Sequence, residues 1–427
     1  MTVHEKITAA DGIAMHTING ISTNKDLSQG PFIIDGHDTL PKLFAERCKE
    51  MGSRTAHREK DFGIWLSYDW NEFWENTKLI GLALRSLGLK RGEVISILSE
   101  DTKEWIYTDL ATQCFGGIAS GIYTTDAASQ LQYLVNDSDS RFLFVENDEQ
   151  LDKFLEVRDK MPGLSKVIVY DNDGLHDFKD DQVIFMEELY AIGRAFEKEN
   201  KGLFEAEIAK SKPEDTAILV YTSGTTGRPK GVVYHHRGAY LMTMGTVISW
   251  RMVMQPKYLA IVPLFHCNGW NHTWMMPVLG GTLVCCRDIT APAIYDAIAD
   301  EGVTHFGGAP IVLNMLVNAK DSERRDFDHV VEVFTAGAPP APATLAAIEP
   351  MGFNITQVYG LTEVYGPATE CTWRAEWEPL EGKARAAIKA RQGVAMPCIE
   401  EAIAIGISDE NFHDLNTSNS SPFCGAC

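Results

Sequence analysis

Ala217-Ile218-Leu219-Val220-Tyr221 runs directly into Thr222-Ser223-Gly224-Thr225-Thr226-Gly227-Arg228-Pro229-Lys230-Gly231. The first five residues are continuously apolar and read as a buried strand. The loop that follows is built from Gly, Ser and Thr and carries a lysine near its end. Such a loop suits a polyphosphate. Glycines let the backbone approach, N–H groups and hydroxyls donate to phosphate oxygens, and the lysine adds a point charge. Gly224 and Gly227 are three apart and no Gly-Lys-Ser/Thr follows, so the spacing is not that of a P-loop. Nor does the chain contain Gly-x-Gly-x-x-Gly, which removes the dinucleotide fingerprint. On composition alone a flexible surface loop stays open as the alternative.

Upstream of this stretch, strand and helix patterns alternate. Asp69 can cap a helix that carries Trp70, Phe73, Trp74, Thr77, Ile80, Leu84 and Leu87 at helical spacing, with Gly88 to stop it. Lys90-Arg91-Gly92 turns into an apolar run at 94–98. A helix is expected over 104–115, a break at Gly116-Gly117 and a strand over 118–123. Further helices are expected over 130–135 and 149–161, the latter ended by Pro162-Gly163, and further strands over 142–145 and 166–170. Near-continuous apolar strands alternating with helices predict an α/β fold with parallel sheet covered on both faces. The charged stretches 171–181 and 198–215 read as solvated surface that can mark subdomain edges.

Composition narrows the function classes. The chain has 427 residues with 38 Lys+Arg against 59 Asp+Glu, a formal charge of −21, and 45% hydrophobic residues. At about 150 residues per domain this makes two or three lobes with a large core. So negative a charge argues against nucleic acid as partner and against a polybasic membrane surface. No apolar run reaches the roughly 18 residues of a transmembrane segment, and residues 1–20 lack the apolar centre of a signal peptide. The nine cysteines include the adjacent Cys285 and Cys286 and a terminal Cys424-Gly425-Ala426-Cys427, without framework spacing. That pattern fits reduced thiols and a cytoplasmic protein.

Downstream, three more stretches matter in order: Pro263-Leu264-Phe265-His266, Thr335-Ala336-Gly337-Ala338-Pro339 and Tyr359-Gly360-Leu361-Thr362-Glu363. With 221–231 they resemble the motifs of the acyl-adenylate-forming, AMP-binding superfamily, which includes acyl-CoA synthetases (fatty-acid–CoA ligases), luciferases and peptide-synthetase adenylation domains. The resemblance implies the large N-terminal lobe of that fold, with mixed and parallel sheets flanked by helices. It implies ATP and Mg²⁺ as cofactors, a carboxylic acid (a fatty acid) as substrate and CoA as co-substrate of the full-length family. By the same resemblance, Thr222, Ser223, Gly224, Thr225, Thr226, Gly227 and Lys230 hold the phosphates. Gly337, Ala338 and Pro339 fit the adenine edge, Tyr359 and Gly360 adjoin the base, and Thr362 donates to the α-phosphate. Glu363 ligates the metal, a hard cation that prefers carboxylate and phosphate oxygen. His266 is the carboxylate-side histidine, at the end of an apolar run, 260–264, that reads as a strand, with Asn268, Trp270 and Trp274 expected to shorten an acyl channel. A transition-metal site from His266, Cys267 and His272 is disfavoured by its spacing, and His235-His236 reads as helix-entry surface.

The subfamily signals divide. Residues 214–397 resemble enzymes activating short, medium or aromatic acids. Leu87-Gly88-Leu89-Lys90-Arg91-Gly92, Ile97-Leu98-Ser99-Glu100, Ile122-Tyr123 and Gln150-Leu151-Asp152-Lys153 resemble long-chain fatty acyl-CoA synthetases. A recombined gene is one reading of that mixture. The resemblance spans 35–397, behind an N-terminal extension at 1–34. The small C-terminal domain of the family, with its ribose-binding aspartate and catalytic lysine, is expected to be absent. Residues 398–427 hold no Lys or Arg and form an atypical tail, expected to be disordered or frameshifted. The leading expectation is therefore ATP-dependent acyl-AMP formation, the first half-reaction of an acyl-CoA synthetase, with CoA thioesterification incomplete. A non-catalytic nucleotide- or acyl-binding protein and a nonfunctional fragment remain open beside it.

Overall fold

The apolar runs between residues 94 and 222 pair as strands, and their pairing is parallel, as near-continuous hydrophobicity predicts. The computed structural model describes residues 5–8, 14–18, 21–23, 37–222 and 227–399, the first three stretches by backbone alone. The expected tail lies outside the described residues from 400 onward. Met1–Asp38 forms one unit, with short antiparallel strands Glu5–Thr8, Ala14–Ile18 and Ile21–Thr23. Thr39–Cys427 forms the other unit and carries everything discussed below.

A seven-stranded sheet runs in the spatial order Val183–Phe185, Lys166–Val169, Phe142–Val145, Val94–Leu98, Ile118–Gly121, Thr216–Thr222, Lys230–His235. All pairs are parallel except the last, a hairpin. A nine-stranded sheet runs Val394–Ala395, Gly366–Glu370, Phe353–Leu361, Val331–Thr335, His305–Gly308, Lys257–Ala260, Thr282–Cys285, Thr55–Asp61, Ile64–Asp69. Its interior is parallel and its margins antiparallel. Each sheet has its own core. Leu131, Leu143, Val145, Phe154 and Val167 pack the first, and Ile294, Ile298, Leu313, Val333 and Ile355 pack the second.

Local signals account for most boundaries. The helix Trp70–Ser86 begins at a capping box in which the Asp69 carboxylate accepts from the Glu72 N–H and the Glu72 carboxylate accepts from the Asp69 N–H. It ends at Leu87, with Gly88 at φ +103°. The expected helix over 149–161 is Asp148–Val157 followed by a 3₁₀ turn.

Two expectations are corrected. The apolar run 260–264 is not a strand, because the strand Lys257–Ala260 stops where its neighbour stops, in register at Cys285. Ile261, Val262 and Leu264 remain buried as loop, and the Leu264 N–H is taken by the Asp101 carboxylate at 2.8 Å instead of a ladder partner. The charged stretch 198–215 is not wholly solvated either. It contains the helix Leu203–Ala209, whose Phe204 is buried against Trp74 and Phe115 with ring centroids 4.9 and 5.7 Å away.

Candidate functional site

The strand Thr216–Thr222 and the strand Lys230–His235 form a hairpin in which Thr222, at the carboxyl end of a strand paired in parallel with Ile118–Gly121, pairs with Lys230. Its two sides are anchored to the helix Ala128–Asp137. Tyr221 donates to Asp137 Oδ2 at 2.8 Å, and Tyr133 donates to the Pro229 carbonyl at 2.9 Å with Arg228 stacked over its ring. Gly227 has φ +135°, a backbone conformation open to glycine. Lys230 is exposed at the mouth. Ser223, Gly224, Thr225 and Thr226 lie outside the described residues.

The histidine loop approaches from the other sheet. Tyr123, just past the strand Ile118–Gly121, stands in line with Thr222, since Gly121 pairs with Val220. Its hydroxyl lies 2.6 Å from His266 Nδ1, and its ring contacts Phe265 at 4.9 Å. Gly121 is required for this approach, because a Cβ there would sit 2.7 Å from Phe265 Cα. Burial lowers the His266 pKa below the ordinary histidine value, so the ring is neutral at pH 7. The chain then passes through left-handed φ at Gly269, Trp270 and Asn271. The Asn271 side chain donates to the Tyr365 carbonyl.

Tyr365 lies two residues past the third stretch. The strand Phe353–Leu361 bulges between Tyr359 and Gly360, where a Cβ on Gly360 would lie 1.8 Å from the Gly366 carbonyl oxygen. Thr362–Val364 is a 3₁₀ turn with Thr362 buried and Glu363 exposed. Tyr234, on the second strand of the hairpin, donates to the Thr362 carbonyl at 2.6 Å and stacks on Tyr365 at 4.1 Å. Beside it, Gly337, Ala338 and Pro339 are exposed just beyond the strand Val331–Thr335, whose Thr335 pairs with Gln357, two residues before the half-buried Tyr359. Gly337 has φ +87° and open space where a Cβ would point.

Three side-chain contacts thus close a triangle. Tyr234 ties the hairpin to 362–365, Tyr123 ties the strand end beside the hairpin to His266, and Asn271 ties the histidine loop to Tyr365. Lys230 lies beside Thr222 at the loop end of the hairpin, His266 is bonded to Tyr123, and the 362–365 turn is bonded to Tyr234 further along the same hairpin, with Tyr359, Gly360 and 337–339 on adjoining strand ends. Trp270 is half-buried with its ring 5.8 Å from that of His272, and the Asn268 side chain lies outside the described residues. Trp274 is not free to narrow a channel. It is buried in the core and donates to Asp109 Oδ2 at 3.1 Å.

His266 and His272 are committed to separate tyrosines, Tyr123 and Tyr258, the latter at 2.7 Å. Among the described residues no three His, Cys, Asp or Glu side chains cluster to hold a metal. A single exposed carboxylate at Glu363 still fits Mg²⁺, which takes most of its ligands from phosphate and water. Of the pair read as helix-entry surface, His235 conforms and His236 does not. His235 caps the helix His236–Ser249, its Nδ1 accepting from the Gly238 N–H at 2.8 Å. His236 is fully buried, and burial pushes its pKa down to about 4. Sequence reasoning gave no roles to Tyr123, Asp101, Tyr234 or Asn271. The one local signal was Tyr123's position at the end of an apolar run beside the loop-bearing strand.

The sequence profile of the family described as AMP-binding enzyme matches residues 44–411. The chain is 35% identical over 341 residues to a 2-methylpropanoate–CoA ligase of Humulus lupulus, covering 77% of this chain and 58% of that protein. It is 32% identical over 345 residues to a peroxisomal trans-cinnamate:CoA ligase of Petunia hybrida, covering 78% and 60%. The chain therefore spans about three fifths of the length of these relatives. Among solved structures, the inhibitor-bound N-terminal domain of FACL13 from Mycobacterium tuberculosis superposes with a TM-score of 0.70 at 19% identity, covering 84% of this chain and 83% of that domain.

Proposed function

The chain belongs to the AMP-binding enzyme family, and from that membership we propose that it activates a carboxylic acid with ATP, forming an acyl-adenylate and releasing pyrophosphate. The observation that supports this reading is the set of contacts by Tyr234, Tyr123 and Asn271, which link the hairpin, the His266 loop and the 362–365 turn across two sheets. In the reaction a carboxylate oxygen bonds to the α-phosphorus while the bond to the β-phosphate oxygen breaks. Negative charge spreads over the phosphoryl oxygens, so the protein acts by positioning and electrostatics.

In this reading Lys230 and the 222–227 loop hold the β- and γ-phosphates, and Thr362 meets the α-phosphate. Tyr359, Gly360 and 337–339 receive the adenine. His266, with Asn268 and Trp270, faces the acid. Glu363 carries Mg²⁺, which supplies charge neutralisation on the phosphates when bound.

The acid is proposed as a fatty or other small carboxylate, and the lobe responsible as 35–397, with 1–34 as an extension and 398–427 as a tail. Transfer of the acyl group to CoA is the second half-reaction implied for the family. Reduced thiols and acidic charge suit a cytoplasmic site. No helix among the described residues is long and apolar enough to cross a membrane.

ATP–pyrophosphate exchange with straight, branched and aromatic acids tests the reading, with thioester detection after CoA addition scored separately. Exchange above background with at least one acid is expected. Lys230→Ala and Glu363→Ala should each lower it on the order of 10²- to 10³-fold. Nucleotide binding without exchange would favour a non-catalytic role, and full activity in both variants would refute the site assignment.

A further inference from the structure

The Tyr123 hydroxyl meets His266 at Nδ1, and that contact bears on which nitrogen of His266 faces the acid. We propose that Tyr123 is a positioning residue that holds His266 in its Nε2–H form, so that the acid meets a hydrogen-bond donor and not a lone pair. The inference rests on the reading of His266 as the carboxylate-side histidine.

The geometry supports it from three directions. The Tyr123 hydroxyl and His266 Nδ1 are 2.6 Å apart, within hydrogen-bond reach, and a phenol O–H is a better donor, and an imidazole nitrogen a better acceptor, than the reverse pairing offers. With the ring neutral, a donor at Nδ1 leaves the proton on Nε2. The histidine's backbone is fixed independently. Leu264 N–H donates to the buried Asp101 carboxylate at 2.8 Å, and His266 N–H donates to the Pro263 carbonyl at 2.9 Å. Tyr123 is itself held, because the preceding Ile122 N–H donates to the Ile97 carbonyl at 2.8 Å and Phe265 packs on its ring. With both backbones pinned, the phenol–imidazole bond is what selects the tautomer. A carboxylate has only acceptors, so Nε2–H binds it and a bare Nε2 repels it.

Nitrogen NMR of the full chain labelled with ¹⁵N-histidine tests this directly, the His266 signals being identified by their loss in His266→Asn. The wild type should show an unprotonated Nδ1 and a protonated Nε2. In Tyr123→Phe the two nitrogens should move toward averaged shifts as both tautomers populate. In exchange assays Tyr123→Phe should raise KM for the acid about tenfold, the loss of one hydrogen bond, while KM for ATP stays within about twofold.

A protonated Nδ1 in the wild type overturns the proposal. So does an unchanged tautomer pattern in Tyr123→Phe, or an unchanged KM for the acid once the tautomers mix. If the variant fails to fold, the wild-type tautomer still decides. If the wild type shows no exchange with any acid, the activation reading fails while the tautomer measurement stands.

Discussion

Asp109 sits wholly inside the protein, one oxygen accepting from Gln113 Nε2 at 2.8 Å and the other from Trp274 Nε1 at 3.1 Å. Burial pushes its pKa up to about 6, against the two donors that favour the carboxylate. The folded state therefore binds this proton more tightly than the unfolded chain, whose aspartates titrate near 3.9. Stability from this group is fully present below about pH 4 and declines as pH rises to about 6, by roughly 3 kcal/mol in total. Asp109→Asn removes the titration. Its amide can still serve both neighbours, because Gln113 Oε1 is a buried acceptor with no partner and a flip of that side chain would let it receive the new N–H₂. Denaturation at pH 4 and pH 8 should thus show the variant gaining about 3 kcal/mol on the wild type between the two. A stability difference independent of pH would contradict the assignment.

The helix Trp70–Ser86 shows what an element owes to its own sequence. Both halves of its capping box lie within four residues, Asp69 and Glu72, so removing one should cost a local amount. Asp69→Ala is expected to lower stability by about 1 kcal/mol in urea titration and to leave exchange activity unchanged. A loss above about 3 kcal/mol would mean that Asp69 does something beyond capping. Short-range grammar of this kind made the elements legible. The strand Phe142–Val145 has the bounds its apolar run predicts, and the strands at 94–98 and 118–121 follow from Gly92 and Gly116-Gly117. Elements whose fate is decided by distant chain were not legible. Ile261, Val262 and Leu264 are as apolar as a strand and are buried, yet the ladder stops at Ala260. His236 looks like surface beside His235, but the helix start is pulled inward where its N–H meets the Asp215 carbonyl. The site divides in the same way. The motif residues were readable as strings, whereas Tyr123, Tyr234 and Asn271 act across 143, 128 and 94 residues of chain.

At the scale of the molecule, the candidate site depends on two sheets keeping their carboxyl ends together. Tyr123 and the hairpin belong to the seven-stranded sheet, and His266 and Thr362 follow strands of the nine-stranded one. Glu59 is a second junction of the same kind. It lies buried on the strand Thr55–Asp61 and accepts at 2.6 Å from Lys103, which begins the helix connecting two strands of the other sheet. Its second oxygen accepts from Arg287 at 3.2 Å, past the end of Thr282–Cys285. Glu59→Gln keeps the shape but turns N–H₂ toward one of two cations, leaving that charge short of a partner. Lys103 keeps Glu104 at 2.7 Å and Arg287 is partly solvated, so the loss should be about 2 kcal/mol, below that of a fully buried pair. Because the junction is shared, the damage should reach the site, with exchange activity falling more steeply on warming than in the wild type. Arg287→Gln added to Glu59→Gln should recover part of the stability, since it removes the cation that the amide cannot serve. Strictly additive losses in the double variant would show that Glu59 and Arg287 act independently and that this junction does not couple the sheets.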